Sequence, residues 1–521
     1  PFHPKLDILQ APQPVASLQQ CTARMDFLAS CPTLAAAAAE PCVVAIFNVA
    51  MIGHVNPTFA LVQELVRRGC RVHYFLPPGS AIREAAREAG AVVEAYVEDD
   101  SPSFALELCG TERASEVPED DRMMWEKAVW PLASTLATGD HILPRCRELG
   151  VRAVLYDPAA PHGLLVGKAL GVPYVSLVTY PGMGSLAGML NDERLRQARA
   201  IRAPLGAQIR KRFGVDLQDQ LLSRRQWFAP ENFVTTSEDL VVPLLAPGEA
   251  CWSDEVRKHF RFTAVGCMVS DAAPHVISAR SPKARLERCR SFGHALPLEE
   301  LQAAALRGAR VVYAALGTMA LSDRWASDLG RASGGNLPAG TTGKQFCQHV
   351  WRALLEAMRE LGDSYYCVLC VGRQPDATDF LVGPDGERAV EVPGNVAIRT
   401  FVPQVEMLQS HASVFISHVG FNSMQESLMA GVPMIAVPQA VDQPANARKV
   451  EACGWGQAFL EPMATVTGAS LADALRAMTA PGAPHAAKVA EAKEHLRGGD
   501  KRAVDRVLEL VAASSAREAC Y

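Results

Sequence analysis

The sequence predicts an α/β protein with two successive parallel-sheet units. Three observations carry this. From Pro41 onward, short apolar runs of strand length alternate with stretches of helical period. A segment without strand signal, 271–308, splits that alternation into two halves. The 521 residues exceed what one hydrophobic core of ordinary size organises. Strands alternating with helices favour parallel sheets with helices on both faces.

The elements follow in order. Residues 1–40 carry Pro, Gln and Ala-rich stretches with no period, and read as a disordered extension or the remnant of an organelle-targeting segment. The first half spans 41–270. Residues 43–49 form a buried-strand run, and Asn56 and Pro57 stand where an N-cap and first helical position belong. Phe59, Val62, Leu65 and Val66 mark a helical face, Gly69 stops it, and 71–76 is the next strand. Strands follow at 151–156, 173–178 and 262–265, with a helix at 162–170. Residues 271–308 read as the linker. The second half, 309–490, has strands at 311–316, 365–371, 396–400, 414–416 and 434–437, and 491–521 is a final helix and tail. Sheets of this kind place ligands at the carboxyl ends of their strands and in the cleft between units.

Composition excludes several classes. A net charge of -5 over this length gives no basic surface for nucleic acid or anionic membrane. No apolar run reaches the roughly 18–20 residues of a membrane helix, so a cytoplasmic protein is expected. Fourteen cysteines are mostly scattered singly, as reduced buried thiols are. Cys367 and Cys370 form one C-x-x-C inside a strand-like run, without a second Cys or His pair nearby, so core packing is preferred over metal or redox use.

The chemistry concentrates in 401–443, FVPQVEMLQSHASVFISHVGFNSMQESLMAGVPMIAVPQAVDQ. A strand ends at Ser417-His418-Val419-Gly420, and a helix starts near Asn422-Ser423 and passes through Glu426. A strand, a glycine turn and a helix start offer unpaired N–H groups at a positive dipole end, which suits a diphosphate. His418 can donate to a phosphate oxygen, Glu426 can accept from two ribose hydroxyls, and Asp442-Gln443 can hold sugar hydroxyls.

This segment resembles the carboxy-terminal signature of the UDP-glycosyltransferases and is especially similar to bacterial macrolide glycosyltransferases. The resemblance implies the GT-B fold, two Rossmann-like domains facing across a cleft. It implies donor binding by Phe401, Val402 and Gln404 at the base, His418, Gly420, Asn422 and Ser423 at the diphosphate, Glu426 at the ribose, and Asp442 and Gln443 at the sugar. Phe401 stands where the family usually has Trp, which loosens base selectivity. Gly317-Thr318, closing the first strand of the second half, resembles an additional phosphate contact. Arg373, after the next strand, matches the pattern but suits a structural charge equally.

A second match is Gly53-His54-Val55-Asn56-Pro57. A lone histidine in a strand-to-helix loop is ordinarily a filler. The resemblance makes His54 the general base for the acceptor hydroxyl, and an ordinary pKa near 6.5 suits that task. It makes Asp157, after strand 151–156, the acid that holds the histidine. What it implies overall is an inverting, metal-independent transfer of a hexose, glucose first, from a UDP-sugar to a small hydroxylated acceptor. No cofactor is expected beyond that co-substrate. The alternatives are a non-catalytic nucleotide-sugar-binding homologue and a nucleotide-sugar epimerase of the same fold.

Three further features are weighed. Residues 320–345, rich in Gly and Ser, read as an insertion beside the donor site: a lid, an acceptor loop, or, preferred, a mobile surface excursion. Residues 100–130 and 183–227 are expected to wall the acceptor. Gly182-Met183-Gly184-Ser185-Leu186-Ala187 matches a dinucleotide fingerprint, but no strand ending in an acid follows at the right distance. The pairs Asp99-Asp100 and Asp120-Asp121 read as solvated loop charge.

Overall fold

The structure is a computed structural model, and it describes residues 41–49, 51–76, 82–95, 119–180, 193–217, 227–238, 260–269, 296–330, 336–382 and 390–518. Residues 1–40, the glycine run at 182–187, Asp99-Asp100, residues 100–118, 183–192 and 218–226 of the two walls, and residues 271–295 lie outside it.

The first sheet holds β1 (Val43–Phe47), β2 (Arg71–Leu76), β3 (Val92–Ala95), β4 (Ala153–Tyr156), β5 (Tyr174–Val178), β6 (Glu231–Val234) and β7 (Arg261–Ala264). Its order is β3-β2-β1-β4-β5-β6-β7, every pair parallel. The second sheet holds β8 (Arg310–Ala315), β9 (Tyr365–Cys370), β10 (Val396–Arg399), β11 (Val414–Ser417), β12 (Met434–Ala436) and β13 (Gly456–Ala458), in the order β10-β9-β8-β11-β12-β13. Both lie within the unit Cys42–Tyr521. Three strands escaped the sequence reading, β3, β6 and β13. β3 and β13 are short edge strands and β6 lies one in from an edge, so each lacks the long apolar run of a strand buried on both faces.

The helices that position the site are α1 (Ile52–Arg67), α2 (Pro161–Leu170), α3 (Gln404–Ser410), α4 (Phe421–Ala430), α5 (Gln443–Ala452) and α6 (Gly499–Glu518). The last of these returns the chain to the first sheet. Ala503, Val504 and Val507 are buried against it, Arg506 clamps Glu231 at 2.7 and 2.8 Å, and Arg502 donates to the Val265 carbonyl at 2.6 Å. Among the described residues no helix is long and apolar enough to cross a membrane.

Four expectations are corrected or refined. α1 begins at Ile52, not at Asn56-Pro57: Met51 is extended, and its carbonyl takes the N–H groups of His54 and Val55. Pro57 therefore sits inside the helix. Asp120 and Asp121 lie in a helix, Glu119–Glu148, not in a loop. The described part of 320–345 is packed rather than a mobile excursion. Trp325, Leu329 and Leu337 are buried in the core, and the Trp325 indole N–H donates to Asp376 at 2.8 Å. The end of the linker stretch is a helix, Leu298–Leu306, whose Leu301 and Ala304 are buried against the second sheet.

The C-x-x-C resolves by strand geometry. Three residues apart on β9, Cys367 and Cys370 point to opposite faces of the sheet and join different clusters, so they share neither a metal nor a disulfide. Burial pushes both thiols up.

A buried histidine sets a pH dependence. His162, in the first turn of α2, contacts Ser134 Oγ through Nε2 at 3.1 Å, and burial pushes its imidazole down to about 3. The unfolded chain therefore takes up a proton first as pH falls below about 6.5, and stability declines from there toward pH 3. By pH 5 the loss is on the order of 2 kcal/mol. Melting of the wild type and of His162→Gln at pH 7 and pH 5 checks this: the variant should show the smaller drop.

Candidate active site

Each doubly wound sheet reverses its strand order at one place, and ligand crevices open there. In the first sheet that place lies between β1 and β4, in the second between β8 and β11. The residues singled out from sequence emerge at these strand ends. His54 follows β1, Asp157 follows β4, Gly317 follows β8 and His418 follows β11.

At the first switch, His54 Nδ1 lies 2.7 Å from Asp157 Oδ2. Asp157 is 1% exposed and His54 is half-buried, so the carboxylate is locked while part of the imidazole reaches solvent. The other carboxylate oxygen, Oδ1, accepts the Ala159 N–H at 2.8 Å, and the Asp157 N–H donates to the Phe47 carbonyl at 2.9 Å. One residue unnoticed in the sequence supports this turn. Asn48, buried just beyond β1, donates through Nδ2 to the His54 carbonyl and to Tyr74 Oη, both at 3.1 Å. Its only sequence signal was a polar residue at the end of an apolar run.

At the second switch two glycines close around His418. Gly317 has φ +77°, and a Cβ on either Gly317 or Gly420 would overlap His418 Nε2. Burial pushes the His418 imidazole down to about 4, opposed by the Ala315 backbone. It is therefore neutral at pH 7 and offers a dipolar N–H rather than a positive charge. Thr318 is exposed beside Gly317 and opens the π-helical turn Met319–Asp323. Gly317→Ala brings both a disfavoured φ and a methyl into the imidazole. A loss of nucleotide affinity of at least tenfold is expected, measured by calorimetry, with the secondary structure by circular dichroism unchanged.

The turn between β11 and α4 is strained. Val419 has φ +51°, and Val441, ahead of Asp442, has φ +63°; no other non-glycine residue described here has positive φ. One side chain ties the two regions together. Asn446, on α5 and fully buried, donates through Nδ2 to the Val419 carbonyl at 2.9 Å and to Asp442 Oδ2 at 2.8 Å. Asp442 and Asn446 stand four apart on a helix, a spacing that lets them meet but is no signal by itself. Burial pushes the Asp442 carboxyl up; Asn446, the Asp442 and Phe421 backbone and the charge of His54 pull it down. Gln443 turns its Oε1 to the Gln439 N–H at 2.8 Å, which directs its amide nitrogen the other way.

The residues around the start of α3 are equally connected. Gln404, opening α3, donates through Nε2 to Glu426 Oε2 at 2.6 Å and to Ser423 Oγ at 3.1 Å, while its Oε1 accepts from Tyr313 Oη at 3.3 Å. The structure thus turns Gln404 to the acid of α4. Tyr313, which the sequence reading passed over, is buried and stacked on Phe415 with centroids 4.8 Å apart. Phe401 is half-buried, with the Arg373 guanidinium 5.7 Å from its ring centroid, a cation–π distance. Val402 is buried beside it. The two switches also touch: Asn422 Nδ2 donates to the Gly53 carbonyl at 2.8 Å, joining the start of α4 to the turn that carries His54.

Comparison with known proteins agrees with this geometry. Residues 382–503 match the family model described as erythromycin biosynthesis protein CIII-like, C-terminal domain. The chain is 26% identical over 444 residues to the NDP-glycosyltransferase YjiC of Bacillus subtilis (strain 168), covering 84% of this chain and 88% of that protein. It is 26% identical over 478 residues to the oleandomycin glycosyltransferase of Streptomyces antibioticus, covering 90% of each. The crystal structure of the calicheamicin glycosyltransferase CalG4 superposes with a TM-score of 0.58 at 18% identity, over 91% of this chain and 99% of that one. With two parallel sheets and their switch points in contact, the chain has the GT-B fold, and along nearly its whole length it is similar to NDP- and macrolide-type glycosyltransferases.

Proposed function

We propose that the chain transfers a hexose, glucose first, from a UDP-sugar to a hydroxyl of a small lipophilic or natural-product acceptor, with inversion at the anomeric carbon and without a metal. The observation that carries this reading is the 2.7 Å contact of His54 Nδ1 with the buried Asp157, beside the start of α4. An imidazole held through Nδ1 by a carboxylate keeps Nε2 as the acceptor for a proton. The acceptor oxygen attacks the anomeric carbon as its proton passes to His54, and the bond to the diphosphate breaks on the opposite face. The departing charge falls to the α4 N-terminus, with Gly420, Asn422 and Ser423, to Thr318 and the Gly317 turn, and to the neutral His418 N–H. These dipoles meet the charge without a bound cation.

Glu426, 5% exposed and held by Gln404, takes the ribose hydroxyls, and Asp442 and Gln443 take the sugar. Phe401 with Arg373 makes the platform for the base, next to the buried Val402. The Bacillus relative is named for a nucleoside diphosphate donor with no base specified. The uracil and glucose preferences thus rest on Glu426, which suits a ribose, and on Asp442-Gln443. The oleandomycin relative's name supports a natural-product acceptor. The test is a product analysis: UDP- and dTDP-sugars are each offered with a panel of macrolides and hydroxylated aromatics. A glucoside of inverted anomeric configuration by NMR, formed best from UDP-glucose with chelator present, is expected. Retention of configuration, or dependence on added divalent metal, contradicts the mechanism.

A further inference from the structure

The helix that carries His54 has a proline in an unusual place. In an α-helix the N–H of residue i pairs with the carbonyl of residue i−4. For position 57 that partner is Gly53, and Pro57 has no N–H to give. The Gly53 carbonyl instead accepts the Asn422 side-chain amide at 2.8 Å, from the helix start on the other sheet. Its neighbours follow the same habit. The His54 carbonyl accepts from Asn48 Nδ2 at 3.1 Å, and the Val55 carbonyl from Thr58 Oγ1 at 2.6 Å. Three successive carbonyls around the histidine are thus held by side chains. The Gly53 carbonyl alone is tied to the second sheet.

We propose that Pro57 is a positioning residue: by withholding an N–H from the Gly53 carbonyl, it keeps that oxygen for Asn422 and so docks the turn bearing His54 on the helix start that holds the diphosphate. The inference rests on the transferase reading above. Its consequence is a coupling between the place where the leaving group sits and the place where the acceptor is deprotonated, through one peptide and one amide. Nucleotide binds to the second sheet in either case, so the latch acts on turnover and not on donor affinity. A proline retained merely for helix shape predicts the reverse pattern, because alanine is the far better residue for a helix interior.

The experiment compares wild type, Pro57→Ala, Asn422→Ala and the double variant for acceptor-dependent release of UDP from UDP-glucose, with UDP affinity by calorimetry and thermal midpoints alongside. In Pro57→Ala an N–H competes for the Gly53 carbonyl. A fall in kcat of about fivefold, the weight of one net hydrogen bond, is expected, with UDP affinity and thermal midpoint held or raised. In the Asn422→Ala background, where the latch is already gone, Pro57→Ala should change kcat by less than about twofold. Equal losses in both backgrounds, or no loss in the first, overturn the proposal. His54→Ala in the same assay separates the two layers: retained release there removes His54 as the base on which the inference rests, whereas its loss together with equal proline effects in both backgrounds removes the latch alone.

Discussion

His54→Ala is expected to lower acceptor-dependent nucleotide release by about 10²- to 10⁴-fold, the range a positioned general base supplies. The ring is half-buried and pinned through Nδ1, and its carbonyl is pinned by Asn48, so its orientation is set before any acceptor arrives. Removing it leaves the proposed donor residues of the second sheet in place, apart from its electrostatic influence on Asp442. Nucleotide affinity should therefore stay within about threefold of wild type while kcat collapses, a pattern that marks an interaction made chiefly in the transition state. Steady-state release of UDP and calorimetric binding of UDP, measured on the same preparation, check both halves.

Asp157→Asn should be nearly as damaging, by about 10³-fold in kcat, although it changes the shape of the side chain hardly at all. The Ala159 N–H points at Oδ1 and requires an acceptor there. An asparagine must satisfy it with its carbonyl oxygen, which places the NH2 group where Oδ2 met His54 Nδ1. That nitrogen donates, so Nδ1 becomes the acceptor and the proton moves to Nε2, the atom that has to receive one. The imidazolium formed during transfer also loses its countercharge. Asp157→Asn should thus fold as wild type does, bind UDP normally and fail in turnover. Thermal melting, calorimetry and a release assay distinguish this from a folding defect.

Much of this architecture was legible because parallel strands buried on both faces read as continuous apolar runs. The strands next to each switch point, β1, β4, β8 and β11, were all found, and the polar residues at their carboxyl ends were found with them. What escaped has identifiable causes. β3 and β13 form edges and lack a long apolar signature. The start of α1 was misplaced because Pro57 resembles a first helical residue, when its missing N–H serves Gly53 and Asn422 instead. The packing of Trp325 and Leu337 was invisible because Gly and Ser between them suggested a loose excursion, while the contacts that hold the segment are tertiary. Asn48, Tyr313 and Asn446 were missed because each acts on another functional residue. Such residues carry no motif of their own; they become visible only when Asn446 is seen to reach both Val419 and Asp442.

The connection between the two switches makes one measurement decisive. Wild-type protein is incubated with UDP-glucose, with and without a hydroxylated macrolide or aromatic acceptor, and free UDP and sugar products are followed together. The account predicts UDP release that rises many-fold with acceptor and matches the glycoside formed mole for mole. Release that ignores the acceptor, or a change in the sugar without release of UDP, would contradict it.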